Sequence, residues 1–93
     1  MRLKDSEIRA IKEIIRSFDN SAKVYLFGSR VYDNKRGGDI DLLILSNKLR
    51  NIDKSCIRIK LFDKLGEQKI DIIIAKDLSS SFTRIAIREG ILL

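Results

Sequence analysis

The sequence contains no histidine, no proline, no tryptophan and only one cysteine among its 93 residues. The lack of histidine excludes Ser-His-Asp triads, Cys-His pairs and histidine-ligated zinc, so any chemistry must come from carboxylates, hydroxyls, backbone amides and cations. Such oxygen donors favour hard metal ions over zinc. The single cysteine, Cys56, cannot form an internal disulfide, which predicts a reducing, cytoplasmic location.

Long apolar runs are also lacking, since no stretch approaches the roughly 20 residues needed to span a bilayer. A charged helix pattern follows Met1 almost directly, so we expect no signal peptide. The length predicts one domain, residues 1–93. The net charge is +6, but the basic residues are scattered. This charge fits either a solvated basic surface or attraction to a nucleotide triphosphate, an acidic partner or RNA.

Apolar periodicity predicts helices and short strands in the order α-β-α-β-α-β-α. The predicted helices cover residues 5–18, 49–65 and 80–89, with a short helical turn at 30–33. The predicted strands cover residues 24–27, 39–45 and 69–75. The alternation predicts an α/β (α+β) fold with a small mixed sheet of three to four strands, covered by helices on one side. The closing residues 91–93 either pack onto this sheet or remain an exposed apolar edge that can bind a partner.

The spacing of apolar residues predicts which helix faces are buried. For the first helix these residues are Ile8, Ile11, Ile15 and Phe18; for the second, Ile52, Cys56, Ile59 and Phe62; for the third, Phe82, Ile85 and Ala86. Asp5 or Ser6 is expected to cap the first helix, because a side-chain oxygen there can accept a backbone N–H. Gly66 and Gly90 are expected to end the other two.

Three aspartates carry the strongest chemical signal. Asp39 and Asp41 lie two residues apart on a predicted strand, so they project from the same face with Cα atoms about 6.5 Å apart. Their charges repel, and a divalent cation relieves that repulsion. Asp71 stands within an apolar strand, where a carboxylate is costly unless exposed, paired or bound to metal. Neighbouring strands would unite all three; alternatively, each merely faces solvent on an open sheet.

A glycine-serine pair, Gly28-Ser29, ends the first predicted strand. Glycine lets a phosphate approach the backbone closely, and a following helical turn would direct amide groups at it. The Ser29 hydroxyl can donate to a phosphate oxygen, and Arg30 can add charge. Without a ligand, the same residues form an ordinary strand-to-helix turn. No Walker-type phosphate loop occurs in the sequence.

Taken together, these residues resemble the minimal nucleotidyltransferases of the DNA polymerase beta superfamily. The resemblance spans nearly the whole chain and rests on four segments: Gly28-Ser29-Arg30, Gly38-Asp39-Ile40-Asp41-Leu42, Asp71, and Arg88-Glu89-Gly90-Ile91-Leu92. The spacer from Arg30 to Gly38 holds nine residues, one fewer than the antitoxin-type members usually have.

The resemblance implies a nucleotidyltransferase fold and an antitoxin that transfers AMP from ATP to a tyrosine of a HEPN-domain toxin encoded nearby. Asp39 and Asp41 would then ligate two Mg²⁺ ions, and Asp71 would complete the site for the attacking hydroxyl and help to activate it. Gly28 and Ser29 would hold the triphosphate, with Arg30 as a further phosphate contact. We expect a homo- or hetero-oligomer, with neither membrane nor nucleic acid as a direct ligand.

Three other functions stay open at this point. A non-catalytic module can neutralise the same partner by occlusion, although occlusion does not need three carboxylates. Transfer to a small molecule such as an aminoglycoside would need a substrate-binding domain that the sequence lacks. RNA binding rests on the positive charge alone, and a steep salt dependence would reveal it.

Overall fold

The computed structural model describes residues 3–31, 39–66 and 68–93, without the side chains of Ser29 and Arg30. The predicted polar loop at 34–38 and the end of the helical turn predicted at 30–33 lie outside these residues. The elements of the described part are α1 (Asp5–Phe18), β1 (Lys23–Phe27), a 3₁₀ helix (Gly28–Val31), β2 (Ile40–Leu45), α2 (Asp53–Leu65), β3 (Ile70–Ala75), α3 (Ser81–Glu89) and β4 (Ile91–Leu92). None of the described helices combines the length and the apolar character needed to cross a lipid bilayer.

The four strands form one mixed sheet in the order β3-β2-β1-β4. β2 runs parallel to β3, while β1 is antiparallel to both β2 and β4. The prediction of a mixed α/β fold with a small sheet is therefore confirmed. The closing tripeptide packs onto the sheet edge, where Ile91 pairs with Leu26 and Leu92 with Tyr25.

The two faces of the sheet are covered unequally. Alternate residues of β2, such as Leu42, lie in a large core with α1 and α2. Leu43, on the opposite face, lies in a smaller core with Ala86 of α3. The prediction that helices cover only one side is therefore wrong, because α3 packs on the second face. Since α3 has only nine residues, it leaves part of that face accessible.

Helix α1 has the predicted bounds, and Ile11 and Ile15 are fully buried. Its start differs from the expectation, because Lys4 precedes the first turn and the Glu7 carboxylate accepts the Lys4 N–H at 2.9 Å. The proposed cap by Asp5 or Ser6 is therefore wrong. Both residues already belong to the first turn of the helix.

Helix α2 begins four residues later than predicted, at Asp53 rather than Leu49. The preceding residues are held in turns instead. The Ser46 hydroxyl accepts the N–H groups of Lys48 and Leu49, each at 3.1 Å, and the Asp53 carboxylate accepts that of Arg50 at 2.8 Å. Side-chain oxygens of this kind compete with helical hydrogen bonds, which explains the late start.

The predicted buried face of α2 is also wrong. Ile57 and Leu61 are the fully buried residues of this helix. Ile52 is 69% exposed and Ile59 is 61% exposed, and the other two residues of the predicted face, Cys56 and Phe62, are exposed as well. Both sides of α2 carry apolar residues at helical spacing, so periodicity alone cannot choose between them.

Helix α3 buries less than the sequence suggested. Ala86 is buried as predicted, together with Thr83, but Phe82 is 50% exposed and Ile85 is 45% exposed. The prediction is wrong for these two because they line an open cleft opposite Phe27 and Val31 and are not enclosed in the core. Gly90 ends the helix as expected.

Candidate active site

The sheet register brings two of the predicted site residues together. Because β2 and β3 are parallel neighbours, Asp41 is the direct partner of Asp71. Asp39 immediately precedes β2, two residues from Asp41 and therefore on the same side of the chain. Each of the three side chains offers a carboxylate oxygen, and these oxygens all lie within 4.8 Å of one another. The structure thus unites all three aspartates.

The aspartates lie on the face of the sheet that carries α3. Asp41 and Leu43 alternate with the deeply buried residues of β2, and Leu43 lies in the core beneath α3. All three aspartates are half-buried. Their carboxylates are accessible because α3 leaves this end of the sheet uncovered, whereas Leu43 is completely enclosed.

The electrostatics of the cluster are unfavourable without a cation. Burial is the main reason why the pKa of Asp41 is raised, and the negative charges of Asp71 and then Asp39 raise it further. A hydrogen bond between Asp41 and Asp71 acts in the same direction. Lys69 opposes these effects, but its ammonium lies 3.4 Å from Asp39 and is largely exposed. Among the residues that the structure describes, this one solvated lysine offsets only part of the three negative charges.

A divalent cation fits this donor set. Carboxylate oxygens are the ligands that Mg²⁺ prefers, and Mg²⁺ is commonly held by a few carboxylates together with substrate phosphates. The raised pKa of Asp41 arises from desolvation and like charge, and a cation among the three oxygens relieves both. Asp39, Asp41 and Asp71 are therefore the residues that would hold it.

Gly28 is fitted tightly against this cluster. It follows Phe27, which pairs with Asp41 across β1 and β2, and it adopts a φ of +79°. A Cβ atom at this position would stand 2.2 Å from Oδ2 of Asp41. Glycine is thus required both by the backbone conformation and by the space that the carboxylate occupies. The next two predicted site residues, Ser29 and Arg30, continue the 3₁₀ helix, and their side chains lie outside the described part.

A cleft of about 240 Å³ opens beside Gly28 on the α3 side. Apolar side chains dominate its lining: Phe27, Val31, Phe82, Ile85 and Ala86, with Glu89 as the charged member. The rings of Phe27 and Phe82 meet edge to face, with 5.8 Å between their centroids. The acidic cluster and an aromatic-lined cleft therefore adjoin the same glycine.

Sequence reasoning missed Lys69, whose ammonium lies 3.4 Å from the Asp39 carboxylate. The parallel register of β2 and β3 contained the signal, because the N–H of Ile40 donates to the Lys69 carbonyl at 3.0 Å. This bond sets Lys69 alongside Asp39, just as Asp71 lies alongside Asp41. Aligning the two strands on their aspartates would have identified it.

Comparison with known families agrees with the geometry. The family model described as "Polymerase beta, Nucleotidyltransferase" matches residues 9–93. The chain therefore belongs to this nucleotidyltransferase family, and the match indicates a transferase. The match spans the 3₁₀ helix, both aspartate-bearing strands and α3. No curated protein gives a significant match.

Proposed function

We propose that this protein is a Mg²⁺-dependent nucleotidyltransferase that transfers AMP from ATP to a tyrosine hydroxyl of a HEPN-type toxin and thereby acts as its antitoxin. The observation that carries the proposal is the meeting of three carboxylates from two parallel strands in a nucleotidyltransferase fold. The fold supports nucleotidyl transfer as the reaction. The aromatic-lined cleft beside the cluster supports a protein acceptor.

In the proposed reaction, the tyrosine oxygen attacks the α-phosphorus of ATP. A new P–O bond forms, the bond to the β-phosphate oxygen breaks, and pyrophosphate leaves. The hydroxyl proton passes to the Asp71 carboxylate or to water beside it. Asp39 and Asp41, together with Asp71, would hold two Mg²⁺ ions, and those ions would supply neutralisation of the phosphate charge and a lowered pKa of the attacking hydroxyl.

The chain's own residues position the two substrates. In this proposal Gly28 and Ser29 face the triphosphate, because Gly28 has no side chain that would keep a phosphate away from the backbone. Arg30 is a further phosphate contact. Asp71 comes from the strand next to Asp41 and would accept the proton of the attacking oxygen. Two converging groups on a rigid sheet reduce the entropic cost of bringing the reactants together.

The cleft has the size and lining for one aromatic ring. An apolar cavity of about 150 Å³ can bind benzene, so about 240 Å³ accommodates a phenol ring with its linking carbon. The exposed halves of Phe82 and Ile85 extend this apolar surface outward. Exposed apolar patches of this kind mark interaction sites. We therefore assign the cleft to the tyrosine of the partner protein.

The direct test supplies ATP labelled at the α-phosphate, Mg²⁺ and the neighbouring HEPN-type protein. Label should appear on the partner, and mass spectrometry should find one AMP on a tyrosine. Asp39→Asn and Asp41→Asn should abolish labelling, whereas Asp63→Asn, on an exposed face of α2, should not. Unchanged labelling by Asp41→Asn would refute the site assignment.

The Phe82→Ala variant tests which of the two substrates, the partner protein or ATP, binds in the cleft. If the cleft binds the acceptor, this variant should raise KM for the partner protein about tenfold and leave ATP affinity unchanged, since an aromatic pair contributes about 0.5–1.5 kcal/mol beyond the apolar area that it buries. Lys76→Ala, an exposed change after β3, is the control. A selective loss of ATP affinity would instead assign the cleft to the nucleotide.

The second candidate function is a non-catalytic module that occludes the partner. The exposed apolar residues of α2 and α3 favour a binding role of this kind. An Asp41→Asn variant distinguishes the two, because an occluding module would still protect cells from the toxin when transfer is lost. Protection that disappears with transfer supports the enzyme.

A further inference from the structure

The outer face of α2 carries an apolar stripe that no described element covers. We define this α2 stripe as Ile52, Cys56, Ile59 and Phe62, all exposed. At about 100° per residue, Ile52, Cys56 and Ile59 fall within roughly 60° of one another and Phe62 lies at one side. The stripe runs about 15 Å along the helix, at a rise of 1.5 Å per residue. Buried Leu61 points the opposite way, into the core.

The α2 stripe is independent of the candidate active site. Helix α2 packs on the face of the sheet that holds Leu42, whereas Asp41 and Leu43 belong to the other face. The stripe therefore points away from the acidic cluster. A molecule bound to it would leave the substrate cleft open. It needs a separate explanation, because large contiguous apolar surfaces are uncommon on monomeric proteins.

The charges around the stripe indicate what covers it. Lys60 and Asp53 lie on one side of the stripe, while Arg50 lies just before the helix and Asp63 near its end. Within the described residues, no ion pair involves any of these four side chains. Lys60 instead lies over the Phe18 ring, 5.1 Å from its centroid. The Asp53 carboxylate also accepts the Arg50 N–H at 2.8 Å. A carboxylate can accept further donors, so each of the four charged groups can still pair with an external partner.

We propose that the α2 stripe is the interface of a two-fold homodimer in which α2 packs antiparallel against α2 of a second copy. If the helices cross between residues 56 and 57, Lys60 meets Asp53 of the second copy and Arg50 meets Asp63. Each pairing occurs twice by symmetry, which gives four ion pairs flanking one apolar seam. The same arrangement brings Ile52 to Phe62 and places the two Cys56 residues near the axis.

The interface is small, so the dimer is weak. A single helix pair buries less than the roughly 1,200–2,000 Å² of a standard interface, and we expect a Kd on the order of 10–100 μM. Sedimentation equilibrium of the full chain across this range should show a reversible monomer–dimer transition. A short bis-maleimide should crosslink the dimer through Cys56, the chain's only cysteine.

Two kinds of variant test the geometry of the dimer: replacement of apolar stripe residues by lysine, and reversal of the charges beside the stripe. Ile59→Lys should weaken dimerisation at least tenfold and remove the crosslink, whereas Ile85→Lys, an equally drastic change on exposed α3, should not. Arg50→Glu alone should weaken the dimer, and adding Asp63→Lys should restore it. Circular dichroism confirms that each variant is folded, and Ile52→Lys replaces Ile59→Lys if that variant fails to fold.

Three results would overturn the proposal. The first is a chain that stays monomeric to about ten times the expected Kd. The second is a dimer that Ile85→Lys disrupts and Ile59→Lys does not, which would assign dimerisation to α3. The third is a monomer whose Ile59 is needed to bind the HEPN-type protein, which would give the α2 stripe to that partner instead.

Discussion

A carboxylate site lies at each end of strand β2, and the surroundings shift the carboxyl pKa in opposite directions at the two sites. At its beginning, Asp41 meets two other carboxylates and one exposed lysine, and its pKa is raised. Beyond its end, Ser46 donates a hydrogen bond to Asp19, which is only 4% exposed and has a lowered pKa. The charged form is thus better stabilised at Asp19, although Asp19 is the more deeply buried of the two.

The number of donors explains the difference. The Ser46 hydroxyl is the largest cause of the lowered pKa of Asp19, followed by the Ser21 hydroxyl. The Ser21 N–H also donates, at 3.0 Å, and the Lys48 ammonium lies 3.9 Å away. These groups outweigh the cost of burial. Asp19 is therefore a structural carboxylate that joins the end of α1 to the end of β2. The charged form of Asp41, in contrast, lacks enough nearby donors and positive charge, and a bound cation would stabilise it.

The largest expected effect comes from Asp41→Asn. Transfer should fall about 1,000-fold, since losing the cation site removes several kcal/mol of charge stabilisation. Without metal, however, this variant should unfold at a higher temperature than the wild type, because a repelling charge is removed. Thermal unfolding in EDTA measures this. A lower unfolding temperature would contradict the assignment of strain to the cluster.

At the other end of β2, Asp19→Ala should lower the free energy of unfolding by about 2–4 kcal/mol, because buried donors lose their acceptor. Urea unfolding measures this. The matched control is Asp77→Ala. Asp77 accepts the Ser79 N–H at 3.0 Å in a turn of the same kind as that of Asp19, but Asp77 is exposed. A similar loss from both variants would refute the importance of burial and of Ser46.

The two carboxylates should also give pH dependences of opposite sign. The lowered pKa of Asp19 contributes stability above its unfolded pKa, which is lost as the pH falls through the folded pKa. The raised pKa of Asp41 contributes stability below its unfolded pKa, which is lost as the pH rises through the folded pKa. In EDTA, Asp19→Asn should reduce the loss of unfolding free energy as the pH falls through the acidic range. Asp41→Asn should reduce the loss of unfolding free energy as the pH rises above that range. Identical changes in both variants would contradict the comparison.

The glycines give the smallest expected effect. Gly28→Ala and Gly66→Ala both place a side chain at positive φ, which costs about 1–3 kcal/mol. Only the Cβ at position 28 collides with Asp41, since nothing lies within 4 Å of the one at position 66. Gly28→Ala alone should therefore weaken Mg²⁺ binding, by about 10–100-fold, as found for groups that orient metal ligands. Equal Mg²⁺ affinity in the two variants, measured by calorimetry, would contradict the tight fit.

The sequence was sufficient for β1, β2, β3 and the acidic cluster, because β-branched runs mark these strands and the aspartates lie at or just before the starts of β2 and β3. It left open whether residues 91–93 would pack onto the sheet. It was insufficient for the face of α2, where Ile57 and Ile59 are equally apolar and only the packed structure selects one. It also gave no sign of the role of Asp19, which simply follows the first predicted helix. The role of Asp19 depends on Ser46, 27 residues away, and a long-range contact of this kind leaves no local pattern.

We propose that Asp39, Asp41 and Asp71 bind divalent cations jointly. Calorimetric titration of the full chain with MgATP, compared with ATP in EDTA, measures this binding. We expect Mg²⁺-dependent binding in the wild type and in Asp63→Asn, and its loss in Asp41→Asn and Asp71→Asn alike. Equal ATP affinity with and without Mg²⁺, or undiminished MgATP binding by Asp71→Asn, would contradict it.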